Sequence, residues 1–141
     1  MKVLVYIADD DRAKREIIVG MVLEAAKAVS ESSKDSLEVE IFQFTCGNDV
    51  IEAVSQQEPD LLISDWSMEP GTGLDVVKTL WESVFALLVV SGESLFSIHK
   101  QVFNELGLTA FEALEDKIFY TPGDTKKFTE AVQALFQGLL P

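Results

Sequence analysis

Val3-Leu4-Val5-Tyr6-Ile7-Ala8, followed at once by Asp9-Asp10-Asp11, is the stretch from which the fold of this chain is read. The apolar run has strand length, and three acids end it. Beyond them the period changes. Ile17-Ile18, Met21-Val22, Ala25-Ala26 and Val29 recur at steps of three and four, which marks one apolar face of a helix. A strand, an acidic turn and a helix make one β–α unit.

That unit repeats along the chain. Leu37, Val39 and Ile41 alternate with Glu38 and Glu40, the pattern of a strand with one wet face near a sheet edge, ending around Phe44. Asn48 is placed to cap a helix carrying Val50-Ile51 and Ala53-Val54, and Pro59 stops it before a third strand, Leu61-Leu62-Ile63-Ser64. Asp65 stands at that strand's end. Gly71 and Gly73 lie in the loop that follows, and Leu74, Val76-Val77 and Leu80-Trp81 form the next helix face. Phe85–Val90 is apolar throughout and suits a strand covered on both faces. Ser94 opens a helix that Gly107 closes, and Ile118-Phe119-Tyr120 is a short final strand. Asp124 or Thr125 caps the last helix, whose face is Phe128, Ala131-Val132, Leu135-Phe136 and Leu139. Residues 108–116 fit neither period. Five strands alternating with five helices predict an α/β fold with a parallel sheet.

Composition narrows the function classes. A length of 141 residues fits one domain over 1–141, and 48% hydrophobic with 25% charged residues and a mean hydropathy of +0.18 fit a packed core. Acids outnumber bases 24 to 11, giving a net charge of −13, so a nucleic-acid backbone is repelled and direct binding to it is disfavoured. Cys46, the single cysteine, allows neither an internal disulfide nor a multi-thiolate metal site, and it reads as a semi-buried thiol. The first apolar run is too short for a signal peptide, and none approaches the length of a membrane span. The expected setting is cytoplasmic, without membrane insertion.

In an open α/β sheet, ligands bind beyond the carboxyl ends of the strands. Asp9, Asp10 and Asp11 follow the first strand, Asp65 ends the third, Ser91 follows the fourth and Thr121 follows the fifth. Carboxylates gathered at one place repel, and a hard divalent cation is the simplest neutraliser. Magnesium suits such a site because it takes oxygen ligands and keeps waters that phosphate oxygens replace.

Val5-Tyr6-Ile7-Ala8-Asp9-Asp10-Asp11, Leu61-Leu62-Ile63-Ser64-Asp65-Trp66-Ser67-Met68 and Val89-Val90-Ser91-Gly92-Glu93 resemble three signature blocks of the receiver domains of two-component response regulators. The blocks stand in the family's order across nearly the whole chain, and Gly73-Leu74 fall eight and nine residues after Asp65, as in many receivers. The resemblance implies a doubly wound, flavodoxin-like sheet of order 2-1-3-4-5. It implies that Asp65 accepts a phosphoryl group from a phosphohistidine of a histidine kinase or histidine phosphotransfer protein. It further implies that Asp10, Asp65 and the backbone carbonyl of Ser67 ligate magnesium, with Asp9 acting mainly through a coordinated water. Ser91 would hydrogen-bond the phosphoryl group, and movement of its hydroxyl would alter a surface read by an output partner.

Two departures accompany this likeness. Receivers usually carry Lys-Pro after the fifth strand, where this chain has Thr121-Pro122. Lys117 is four residues upstream, about 13 Å away along a strand at ~3.3 Å per residue, and does not substitute. The interval from Ser91 to Thr121 is thirty residues, longer than in a compact receiver, which places an insertion in 108–116. Ile118 occupies the usual aromatic switch position.

Simpler roles fit other residues. Asp11 reads as a helix cap, His99 as a surface histidine, and Trp66 as a partly exposed ring over the site. The stretch from Asp35 to Asp75 lacks lysine and arginine and reads as a solvated acidic face. Two other functions compete with the phosphoacceptor. One is a phosphate-independent interaction module of the same fold, motivated by Thr121. The other is a phosphatase of the haloacid-dehalogenase type, with Asp9 as nucleophile, Asp11 as acid and Ser91 as second motif. Against the latter stand Ala13 in place of the usual threonine or valine, the short chain, and the lack of a matching catalytic lysine.

Overall fold

The computed structural model describes residues 1–141. Its strands are β1 (Lys2–Ala8), β2 (Glu38–Phe44), β3 (Leu61–Ser64), β4 (Leu87–Ser91) and β5 (Ile118–Tyr120). They form one parallel sheet of order β2-β1-β3-β4-β5, the order the resemblance implies. Between and after them run α1 (Arg12–Glu31), α2 (Gly47–Gln56), α3 (Gly73–Leu80), α4 (Leu95–Leu106), α5 (Leu108–Leu114) and α6 (Thr125–Leu139).

Strand alternation splits the apolar residues into two layers. Val3, Val5 and Ile7 of β1, Leu61 and Ile63 of β3, and Leu88 and Val90 of β4 face α1 and α6. There they meet Ile18, Val22, Phe128, Val132 and Phe136. Tyr6 and Ala8, Leu62, and Leu87 and Val89 point to the other face, against Val50, Val76, Val77, Ile98 and Val102. Complete burial of Phe128 and Phe136 stabilises the α6 docking by about 1.5–3 kcal/mol each. No helix is long and apolar enough to cross a membrane.

Several local expectations need correction. There are six helices, because 108–114 forms α5, a seven-residue helix between α4 and β5. Gly107, at φ +91°, ends α4 and lets α5 begin at once. The pair is pinned by His99, whose Nε2 lies 3.1 Å from the Glu115 carbonyl and whose ring meets Phe111 edge-on. His99 is therefore half-buried rather than a free surface histidine. β4 starts at Leu87, and Phe85 is 69% exposed in the turn before it.

Asn48 does not cap α2 either. The first N–H groups of that helix are met by backbone: Gly47 N–H donates to the Gly71 carbonyl at 2.9 Å and Asn48 N–H to the Pro70 carbonyl at 3.1 Å. A side chain on either Gly47 or Gly71 would collide with the other segment, and Gly71 has φ +87°. Cys46, just before this close approach, is buried rather than half-buried. Asp124 precedes α6, but its carboxylate accepts the Tyr120 N–H at 2.9 Å instead of capping the helix.

Candidate functional site

Register brings the site together. Ala8 pairs with Ser64, so the residues just past them, Asp9 and Asp65, emerge side by side. Asp9 N–H donates to the Phe44 carbonyl at 3.0 Å and Asp65 N–H to the Ala8 carbonyl at 2.8 Å, extending the ladders by one residue. Ser91 ends β4 beside β5, and Thr121 N–H donates to the Ser91 carbonyl at 2.9 Å. Asp9, Asp10 and Asp65 thus stand at the same end of the sheet as Ser91 and Thr121.

Asp9 is fully buried and Asp65 is 4% exposed, while Asp10 faces solvent. One carboxylate oxygen from each of the three lies within 4.8 Å of the others. Asp9 Oδ1 accepts the Asp11 N–H at 2.8 Å, and its buried Oδ2 accepts no hydrogen bond. Burial is the largest influence on Asp9 and raises its carboxyl from 3.8 to about 6; the Asp11 N–H opposes this, and the Asp65 charge adds to it. Burial also raises Asp65, against the pull of Lys14 and of the Trp66 N–H. Buried, mutually repelling carboxylates with an orphaned oxygen fit a hard divalent cation, whose charge would reverse both displacements.

Asp65 is held on one side. Its Oδ1 accepts the Trp66 N–H at 2.8 Å, and Lys14 Nζ stands 3.5 Å from the same oxygen. Oδ2 accepts no hydrogen bond from the protein, so its lone pairs are available. The loop behind is tightly packed: Gly73 N–H donates to the Trp66 carbonyl at 2.8 Å, and a Cβ on Gly73 would strike the Asp65 carbonyl and Trp66 Cα. A cleft of about 560 Å³ opens beside the acids, lined by Asp10, Ser67, Glu69, Thr72 and Glu93 among others. Ser67 is exposed there next to Asp10. Ser91 is buried, and its Oγ accepts the Glu93 N–H at 3.1 Å, leaving its proton free to donate.

Two residues differ from their expected roles. Trp66 is not a partly exposed lid: it is 4% exposed, and its indole N–H donates to Gln101 Oε1 on α4 at 3.1 Å. Lys14 carries no marked role in the sequence reading, yet its Nζ lies 3.5 Å from both Asp9 Oδ2 and Asp65 Oδ1. A cation four residues after an acidic pair was the available signal, but Arg12 and Arg15 share that turn and blur it. Asp11 behaves as expected, accepting the Ala13 and Lys14 N–H groups at 2.9 and 3.2 Å as the α1 cap.

Neither a protein-family profile nor a curated protein matches the sequence. Solved structures do match. The REC domain of AraT, a response regulator from Geobacillus stearothermophilus, is similar at a TM-score of 0.64 and 23% identity, covering 99% of this chain and 96% of that one. A CheY-like response regulator receiver domain from Methylobacillus flagellatus gives a TM-score of 0.62 at 19% identity, over 96% and 99% of the two chains. The chemotaxis response regulator CheY4 of Vibrio cholerae gives 0.62 at 17% identity, over 96% and 99%. At these identities the likeness establishes the fold: this chain has the architecture of response-regulator receiver domains along almost its full length.

Proposed function

We propose that the chain is a two-component receiver, a single domain in which Asp65 accepts a phosphoryl group from a phosphohistidine. The observation that carries this reading is the state of Asp65. It is a nearly buried carboxylate at the end of β3 with one oxygen fixed and the other free, beside two more carboxylates. Oδ2 attacks phosphorus, the new O–P bond forms as the imidazole N–P bond breaks, and the departing nitrogen keeps the electron pair. Ser91 donates its hydroxyl to a phosphoryl oxygen. Thr121 takes the position of the usual lysine and supplies no charge.

Asp10, Asp65 and the Ser67 carbonyl would hold magnesium, with Asp9 reaching it through water. Bound there, the ion screens the negative charge of the incoming group and of the transferring oxygens. The donor is a histidine kinase or histidine phosphotransfer protein. The phosphorylated chain then presents an altered surface to an output partner.

Geometry around Asp9 weighs against the dehalogenase-type alternative, since Asp9 has no exposure and Asp11 is committed to capping α1. A phosphate-independent interaction module draws support from one observation: Thr121 stands where the usual lysine would, and Lys14 already pairs with Asp9 and Asp65. Incubation with magnesium and acetyl phosphate, read by intact mass beside Asp65→Asn, separates the two. A single phosphoryl addition absent from the variant supports the receiver. No addition, together with no binding of beryllofluoride, favours the interaction module.

A further inference from the structure

A phosphoryl group on Asp65 poses a problem of charge. It brings roughly two negative charges beside Asp9 and Asp10, and the residue following β5 is the neutral Thr121. Lys14 answers it. Its Nζ bridges Asp9 Oδ2 and Asp65 Oδ1 at 3.5 Å each, and no other lysine or arginine pairs with a site acid. Arg12 is drawn away to Glu16, and Arg15 is occupied by the Asp9 carbonyl and Gln43.

Placement adds a second, independent argument. Lys14 lines a mainly apolar groove of about 280 Å³ together with Ile17, Gly92, Thr121 and Pro122. It therefore shares a groove with Thr121, whereas Asp10 and Ser67 line a different cleft. Its backbone is fixed by the Asp11 cap, and its side chain is one-third exposed. The four-carbon stem lets the ammonium shift between oxygens without movement of α1.

We propose that Lys14 is the phosphoryl-binding cation of this chain, supplied from α1 in place of a lysine after β5. The inference rests on the receiver reading of Asp65. When Asp65 becomes an acyl phosphate, its own oxygens lose their formal charge and the ammonium transfers to a phosphoryl oxygen. Before that step, the same ammonium competes with a divalent cation for Asp9 and Asp65. Removing it should therefore act with opposite signs on the two ligands, which a purely structural role would not do.

The test compares the intact chain with Lys14→Met, Lys14→Gln and Lys14→Arg, and with Lys14→Met combined with Thr121→Lys. Titration calorimetry reads magnesium and beryllofluoride affinity, and intact mass reads phosphoryl uptake from acetyl phosphate. Loss of one charge-assisted hydrogen bond predicts about 10- to 100-fold weaker beryllofluoride binding and slower uptake in Lys14→Met and Lys14→Gln. Magnesium should bind several-fold tighter in both. Lys14→Arg and the added Thr121→Lys should restore most of the loss. Unchanged beryllofluoride binding and uptake in both neutral variants overturn the proposal, as does a loss that neither restoring change repairs. If the unaltered chain takes up no phosphoryl group and binds no beryllofluoride, the receiver reading fails first and this inference falls with it.

Discussion

Asp9→Asn should stabilise the metal-free protein at neutral pH and leave it unchanged in acid. Asp9 is fully buried, its Oδ1 accepts the Asp11 N–H, and its Oδ2 accepts no hydrogen bond. Its carboxyl lies at about 6 instead of 3.8. Since the folded value is above the unfolded one, the folded chain binds more protons between about pH 4 and 6, and stability falls as pH rises through that window. About two pH units at ~1.4 kcal/mol each come to an upper bound of about 3 kcal/mol. Asparagine keeps the acceptor for Asp11, and the Lys14 attraction is already contained in the value of about 6, but the new amide is left imperfectly paired in a buried site. The expected net gain is about 1–2 kcal/mol at pH 8 and close to zero at pH 4. Urea unfolding in the presence of a chelator, run at one-unit steps between those limits, measures it. Asp65 is raised in the same direction, so a shallower decline should persist in the variant. Parallel profiles for the two proteins, or a variant less stable at pH 8, would refute the reasoning. Added magnesium favours the ionised carboxyls and should flatten the decline in the unaltered chain.

Gly73→Ala places a Cβ against the Asp65 carbonyl and Trp66 Cα, and should cost about 3 kcal/mol in urea unfolding while reducing magnesium affinity. Phe128→Ala empties a fully buried site between sheet and α6 and should lower stability by about 3–5 kcal/mol, read by thermal or denaturant unfolding. Gln101→Leu strips the buried Trp66 indole of its acceptor, with an expected cost of about 1–3 kcal/mol. Its emission should move to shorter wavelength, a change that Trp66→Phe would abolish.

The sheet was legible because its signals are local and periodic. Val3–Ala8 and Leu61–Ser64 are unbroken apolar runs, and acids or hydroxyls at four strand ends pointed to one site. What escaped reading depends on distant partners. α2 takes its cap from the carbonyls of Pro70 and Gly71, which no inspection of residues around Asn48 reveals. α5 has only seven residues, too few for a helical period to declare itself, and it is held by His99 and Phe103 of the preceding helix. Trp66, next to Asp65, reads in the sequence as a partly exposed ring over the site, yet the apolar layer under α3 and α4 takes in its ring. The choice of Lys14 over Arg12 and Arg15 is settled by the rotation of α1 on the sheet, together with the competing acceptors that occupy both arginines.

The two outer strands bear on how copies of this chain behave in one another's company. A parallel sheet that ends in open N–H and C=O groups is a template for another chain's strand. β2 is one such margin, and it carries Glu38 and Glu40, with Glu40 held by Lys2 of β1. A second copy adding itself there would stack glutamate beside glutamate within a molecule of net charge −13. The opposite margin, β5, is three residues long and is followed by Pro122, which offers no donor. One edge thus repels an added strand and the other is too short to hold one, so concentrated solutions are protected against sheet-to-sheet growth at both sides.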